Sequence, residues 1–132
     1  MRRHAMKRLL LLTVLSLALL AALPAAAEMF GPDYRPCGDQ PNTMATVDCV
    51  DAKTKIWDQR LNTAYQGLTQ RIEPGQRDPL KAAQRLWVQY RDANCRFYGS
   101  QEGSIRQVQA AECLRAMTQE RALELEKAMK PN

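Results

Sequence analysis

The side chains of this 132-residue chain with the most chemistry to offer are four cysteines, Cys37, Cys49, Cys95 and Cys113. No two of them have the two-to-four-residue spacing of paired zinc ligands, so a structural metal is not expected. An even number of cysteines in a small exported domain favours two disulfides over free thiols. The single histidine, His4, stands near the N-terminus, and everything after it lacks imidazole. That absence excludes Ser-His-Asp and Cys-His nucleophile systems and removes the commonest general base and metal ligand. Paired carboxylates occur, as in any charged helical protein, but none sits in a glycine-rich or concave context. The chain therefore reads as a protein without catalytic residues, metal or cofactor.

Residues 1–27 have the form of a cleavable signal peptide. Arg2, Arg3, Lys7 and Arg8 precede an apolar run from Leu9 to Leu23; Pro24 breaks the run, and Ala25-Ala26-Ala27 offers the small residues of a cleavage site. At about 15 residues the run is short for a span of about 20. We expect a cut after Ala27, a periplasmic or secreted product, and no membrane association afterwards. No cysteine follows the cut directly, which argues against lipoprotein attachment. The formal charge of +5 shrinks on this reading, because four of the nineteen basic residues leave with the signal and fourteen acidic residues remain. Residues 28–132 are thus nearly neutral, and the basicity is no sign of nucleic-acid binding. They suffice for one domain with a modest core.

The elements that must position the cysteines are helices. Glu28 to Asn42 contains three prolines and two glycines and reads as an irregular lead-in pinned by Cys37. Thr43 can cap a long helix with an apolar seam at Val47, Val50, Thr54, Trp57, Leu61, Ala64 and Leu68, widened by Tyr65 and Ile72. Glu73-Pro74-Gly75 stops it. Asp78-Pro79 opens a second helix running to about Tyr98, whose stripe is Ala83, Trp87, Tyr90, Asn94 and Phe97. Gly99 and Gly103 bracket a loop, and Ser104 with Gln107 forms a capping box for a third helix ending before Pro131. Its stripe is Val108, Ala111, Leu114, Met117 (or Thr118), Ala122, Leu125 and Met129. The expected fold is all-α: an antiparallel three-helix bundle with an irregular N-terminal lead-in, stapled by two disulfides. The second helix, densest in aromatics, reads as the middle one. Four cysteines permit three pairings; we favour the local ones, Cys37 with Cys49 and Cys95 with Cys113, because they require no helix to slide past another.

The run Gln84-Arg85-x-Trp87-x-x-Tyr90-Arg91-Asp92-x-x-Cys95 is distinctive. With Cys37, Cys49, Trp57-Asp58, Leu61-Asn62, Tyr65, Gly103-Ser104, Cys113, Thr118, Arg121 and Leu125, it resembles the LprI-like lysozyme-inhibitor family over about residues 37 to 125. Glu102 departs from the pattern, standing where relatives often carry a second glycine. The resemblance implies an exported helical domain that binds protein, with lysozyme as the partner to test. A periplasmic structural or adaptor module without anti-lysozyme activity is the alternative.

Seam positions assign Trp57, Trp87 and Tyr90 to packing rather than to a partner. Arg91 and Asp92, with Asp58, Asn62, Thr118 and Arg121, read as an interhelical polar network. An inhibitor of a glycoside hydrolase must occupy a cleft flanked by two carboxylates. Cationic or hydroxyl side chains on protruding loops would suit that, which singles out Gln76 and Arg77 between the first two helices and Ser100 and Ser104 between the last two.

Overall fold

The structure is a computed structural model and describes residues 28–130; the expected signal peptide and its cut site lie outside the described residues. Four helices follow one another: α1 (Arg35–Gly38), α2 (Thr43–Arg71), α3 (Pro74–Gly99) and α4 (Ile105–Ala128). The described residues contain no strand. The lead-in is less irregular than its prolines suggest, because Pro36 sits in the first turn of the short α1, where a missing N–H does no harm.

Helix starts differ from the sequence reading in instructive ways. Asn42, not Thr43, caps α2; its Oδ1 accepts the Ala45 amide at 2.9 Å. α3 begins at Pro74, four residues before the expected Asp78-Pro79. The Gln76 side chain reaches back to the Glu73 amide at 3.3 Å, completing a cap one turn earlier. Pro79 is consequently internal to α3. It deprives only the exposed Gly75 carbonyl of a partner, close enough to the helix start for water to replace it. Ser104 caps α4 in position but makes no side-chain cap bond; backbone bonds from Arg106 and Gln107 to Gly103 and Ser104 close that turn.

The chain runs up α2, down α3 and up α4. α4, not α3, is the middle helix: it packs on both of the others, whereas the backbones of α2 and α3 scarcely approach one another. Small side chains explain this. Ala111, Cys113, Ala116, Thr118 and Ala122 are buried on different sides of α4 and let neighbours close in on both. The main core joins Leu61, Ala64 and Leu68 of α2 to Ala122 and Leu125 of α4, and Leu80 and Trp87 of α3 reach into it. A smaller cluster of Cys37, Val50 and Ala111, flanked by Tyr34 and Val47, seats the lead-in. Both disulfides have the local pairing, Cys37–Cys49 and Cys95–Cys113, with Cα–Cα distances of 5.4 Å in each. The first ties α1 to α2 and the second α3 to α4.

Candidate protein-docking surface

α3 has one fully buried residue, Cys95. Its packing row is Leu80, Gln84, Trp87, Arg91, Cys95 and Tyr98, at helical spacing and wholly or half buried. A second row, Leu86, Tyr90 and Phe97, points away from α4 and is 60%, 62% and 63% exposed. Ala82 and Ala93 extend that row at the same spacing and are also exposed. Tyr90 and Phe97, expected in the core stripe, are therefore surface residues; Trp87 alone of the three aromatics turns inward. Single exposed apolar residues are commonplace, but three large ones in one row of one helix make a patch.

The charges along α3 are mostly positive. α3 carries Arg77, Lys81, Arg85, Arg91 and Arg96 against Asp78 and Asp92. Arg91 lies with its guanidinium 5.1 Å above the Trp87 ring and pairs with its neighbour Asp92 at 2.8 Å. Arg85 and Arg96 are exposed. The patch thus combines aromatic area with free guanidinium groups, the composition that dominates protein hot spots.

The four partner-contact candidates from the sequence do not come together. Gln76 and Arg77 lie in the first turn of α3, not on a loop, and Gln76 is occupied by the cap; the true connector is only Ile72 and Glu73. Ser100 and Ser104 flank α3 at its other end. Most of the length of α3 lies between the two groups and separates them by about 35 Å at 1.5 Å per residue. Only the Ser100–Ser104 loop adjoins the Phe97 end of the patch. There Ser100 Oγ donates to the Phe97 carbonyl at 2.7 Å, and Gly103 turns the chain at φ +83°. Glu102 does not adopt a left-handed conformation, so one glycine suffices for this loop.

The remaining signature residues divide between core and local bonding. Leu61 is buried and Tyr65 packs against the same cluster. Asp58 accepts from Asn62 one turn on, at 3.2 Å, and reaches no other helix. Among these signature residues the link between helices is from Arg121 Nε to Gln84 Oε1 at 3.0 Å, with Glu124 holding the far side of the guanidinium at 2.7 Å. Thr118 is fully buried and its hydroxyl finds no partner. Arg91 and Asp92 join each other rather than Asp58, Asn62 or Arg121.

A polar cluster not anticipated from the sequence lies under the lead-in. Glu112 and Arg115 of α4 are fully buried, yet both are charged. Arg115 grips Glu112 through Nε at 2.7 Å and Nη2 at 2.8 Å. It also donates to the Glu28 carbonyl at 2.9 Å, to Asp33 at 3.1 Å and to Gln119. Glu112 Oε1 accepts the amide of Phe30, which sits at φ +59°. Trp57 Nε1 donates to Asp33 at 2.9 Å, so this signature tryptophan serves the same cluster, its ring stacked under Arg60 at 4.1 Å. Burial opposes ionisation of Asp33, but the Trp57 hydrogen bond and the charges of Lys53 and Arg115 outweigh it and hold its carboxyl below the ordinary range. Burial, aided by the Glu112 charge, pushes the Tyr34 phenol up. The available sequence signal was an acid–base pair three apart, Glu112 and Arg115, interrupting the apolar seam between Ala111 and Ala122.

Among the described residues no group of three His, Cys, Asp or Glu could hold a metal ion, and no helix is long and apolar enough to cross a membrane. Comparison with known proteins agrees with the signature residues. The chain is 30% identical over 130 aligned positions to an uncharacterized protein of Rhizobium meliloti (strain 1021), covering 87% of this chain and 91% of that protein. No solved structure matches it. The family model described as "Lysozyme inhibitor LprI" matches residues 37–125, from the first cysteine to the last core leucine, and the chain belongs to that family.

Proposed function

We propose that the chain is exported and acts as a lysozyme inhibitor, docking through the outward row of α3. The observation that carries this reading is the exposed Leu86–Tyr90–Phe97 row with Arg85 and Arg96 beside it. A glycoside hydrolase cleft is lined by two catalytic carboxylates; guanidinium groups complement them and the aromatic row fills the apolar part of a sugar-binding groove. Ser100 and Ser104 adjoin the Phe97 end and extend the contact. Gln76 and Arg77 lie at the other end and take no part. The two disulfides suit an oxidising compartment, consistent with the signal-like residues 1–27. The family is one of protein inhibitors, so binding rather than turnover is the activity to seek.

One observation favours a second reading. The net positive charge of α3 would repel an enzyme whose whole surface is basic, and an acidic envelope protein would fit it better, making the chain an adaptor. Titrating the oxidised domain, residues 28–132, into lysis assays with several lysozyme classes separates the two. Slowed lysis that weakens about thirtyfold or more in Tyr90→Ser/Phe97→Ser, a hot-spot-sized loss, supports docking through α3. No slowing with any class at micromolar concentration rejects inhibition and leaves the adaptor. Inhibition that survives the double variant moves the contact elsewhere.

A further inference from the structure

The Cys95–Cys113 disulfide has a third sulfur against it. Met117, one turn beyond Cys113 on α4, places Sδ 3.8 Å from Cys95 Sγ and 3.8 Å from Cys113 Sγ. The Asn94 amide donates to Met117 Sδ at 3.3 Å and to Cys113 Sγ at 3.5 Å, fixing both sulfurs from the α3 side. The two cysteines are 3% and 1% exposed. A cleft of about 480 Å³ between α3 and α4, lined by Cys95, Arg96, Gly99, Ser100, Ala110 and Leu114 among others, reaches Cys95.

We propose that Cys95, Cys113 and Met117 form a three-sulfur site for a monovalent soft metal ion, Cu(I) or Ag(I), once the disulfide is opened by a dithiol. Metal–sulfur bonds of about 2.3 Å in a trigonal plane set the sulfurs about 4.0 Å apart. Met117 already stands at nearly that distance from both cysteines, so only the cysteine pair must separate, which cleavage of the S–S bond permits. Two thiolates and a thioether are the donor set that soft ions select. Zinc, which completes four ligands in a structural site, would lack one here. Asn94 then plays the part of an outer partner that holds the ligand sulfurs in place.

The chemistry balances. A dithiol attacks one sulfur, and the resulting mixed disulfide is resolved by its second thiol. It leaves as a cyclic disulfide, and two electrons and two protons remain on Cys95 and Cys113 as thiols. Binding of the monovalent ion releases both protons and gives a complex of net charge −1. The sulfur–metal–sulfur bridge replaces the covalent clip, so α3 stays attached to α4 under conditions that would otherwise free it.

The test is anaerobic titration of the reduced, reductant-free chain with Cu(I) against a chromophoric Cu(I) chelator. Three versions are compared: the natural sequence, Met117→Leu, and Cys37→Ser/Cys49→Ser. The last retains only the proposed pair and is expected to bind one Cu(I), with X-ray absorption finding three sulfurs at about 2.3 Å. Met117→Leu, a volume-matched exchange that cores accept, should weaken binding about tenfold or more, no less than loss of an outer partner does. Equal affinity of Met117→Leu and the natural sequence overturns the proposal, as does a shell of two sulfurs in Cys37→Ser/Cys49→Ser or equal binding by the oxidised protein. Should Cys37→Ser/Cys49→Ser fail to fold, the affinities of Met117→Leu and the natural sequence decide the matter between them.

Discussion

Arg115→Leu is the perturbation that most directly tests how the lead-in is held. The leucine fills much of the arginine's volume but withdraws the charge, leaving Glu112, at 0% exposure, with only the Phe30 amide. Removing one partner of a buried ion pair costs about 3–5 kcal/mol, because the remaining charge is stranded away from water. Lost with it are the bonds to Glu28 and Asp33 that bind the lead-in to α4. For a domain of this size each kcal/mol moves the melting temperature by about 4–8 °C, so a fall of roughly 12–40 °C is expected. The companion variant Glu112→Leu/Arg115→Leu removes the stranded charge and should recover most of the loss, since an apolar pair can replace a buried ionic one. Circular dichroism melts of the oxidised domain measure both, and chymotrypsin should cut faster after Phe30 and Tyr34 in the single variant. A single-variant cost below about 1 kcal/mol, or a double variant no more stable than the single, would refute the account: burial and not charge pairing would then seat the lead-in.

Other expectations concern pH and the staples. Asp33 and Glu126 both titrate below their ordinary values, 3.8 and 4.5; for Glu126 the hydrogen bond from Arg60 is the main cause. The folded form therefore binds fewer protons than the unfolded one in that range. The resulting stability is present above the ordinary carboxylate values and is lost as the pH falls through the folded ones. Asp33→Asn should flatten the acid limb of a stability–pH curve, and an unchanged limb would exclude Asp33 as its source. Asp51 works in the opposite sense: burial and the Asp48 charge raise it, so Asp51→Asn should remove a small loss of stability on going from acid to neutral pH. Cys95→Ser/Cys113→Ser opens a clip across 18 residues, worth about 3 kcal/mol. Because Cys95 is the one fully buried residue of α3, hydrogen exchange in this variant should accelerate along α3 and spare the α2–α4 core. Uniform acceleration would show that α3 does not open separately.

What the sequence revealed of this fold, and what it hid, follows from which signals are local. Proline and glycine at Pro74-Gly75 and Gly99–Gly103 punctuate the chain, and three- and four-residue spacing marks each long helix, so the three long helices, their order and the disulfide partners were legible from neighbours alone, while the short α1 in the proline-rich lead-in was not. Packing order was not. Aromatic content points to α3 as the centre, yet the centre is α4, where alanine, threonine and cysteine let two helices approach. Small size, not hydrophobicity, decides which helix can be flanked twice. The inward face of α3 was ambiguous for a related reason: aromatics stand on both rows, and a period of 3.6 says that rows exist without saying which one faces α4. Ser104 and Gln107 had the letters of a capping box but not its bond, since the backbone satisfied that turn by itself. The burial of Glu112 and Arg115 was illegible because charged residues go inside only when paired, and pairing to a lead-in some 80 residues away leaves no local trace.

The division of α3 into two rows bears on function more than the helix count does. Packing uses Leu80, Gln84, Trp87, Arg91 and Cys95, whereas Leu86, Tyr90 and Phe97 face solvent, Phe97 meeting Tyr98 edge-on. The signature run from Gln84 to Cys95 spans both rows: Gln84, Trp87 and Cys95 bind α3 to α4, while Tyr90 faces solvent with nothing in the domain to hold it there. A protein that needed only its own stability could place a polar residue at Leu86 and at Tyr90 with little loss, and at Phe97 for the loss of its edge contact with Tyr98. Large aromatic area maintained on the outside, beside guanidinium groups and on a helix fixed at one end by a disulfide, is what a rigid docking face requires. Stability and partner binding should therefore separate cleanly by row, and that separation lets a binding variant be told from an unfolded one.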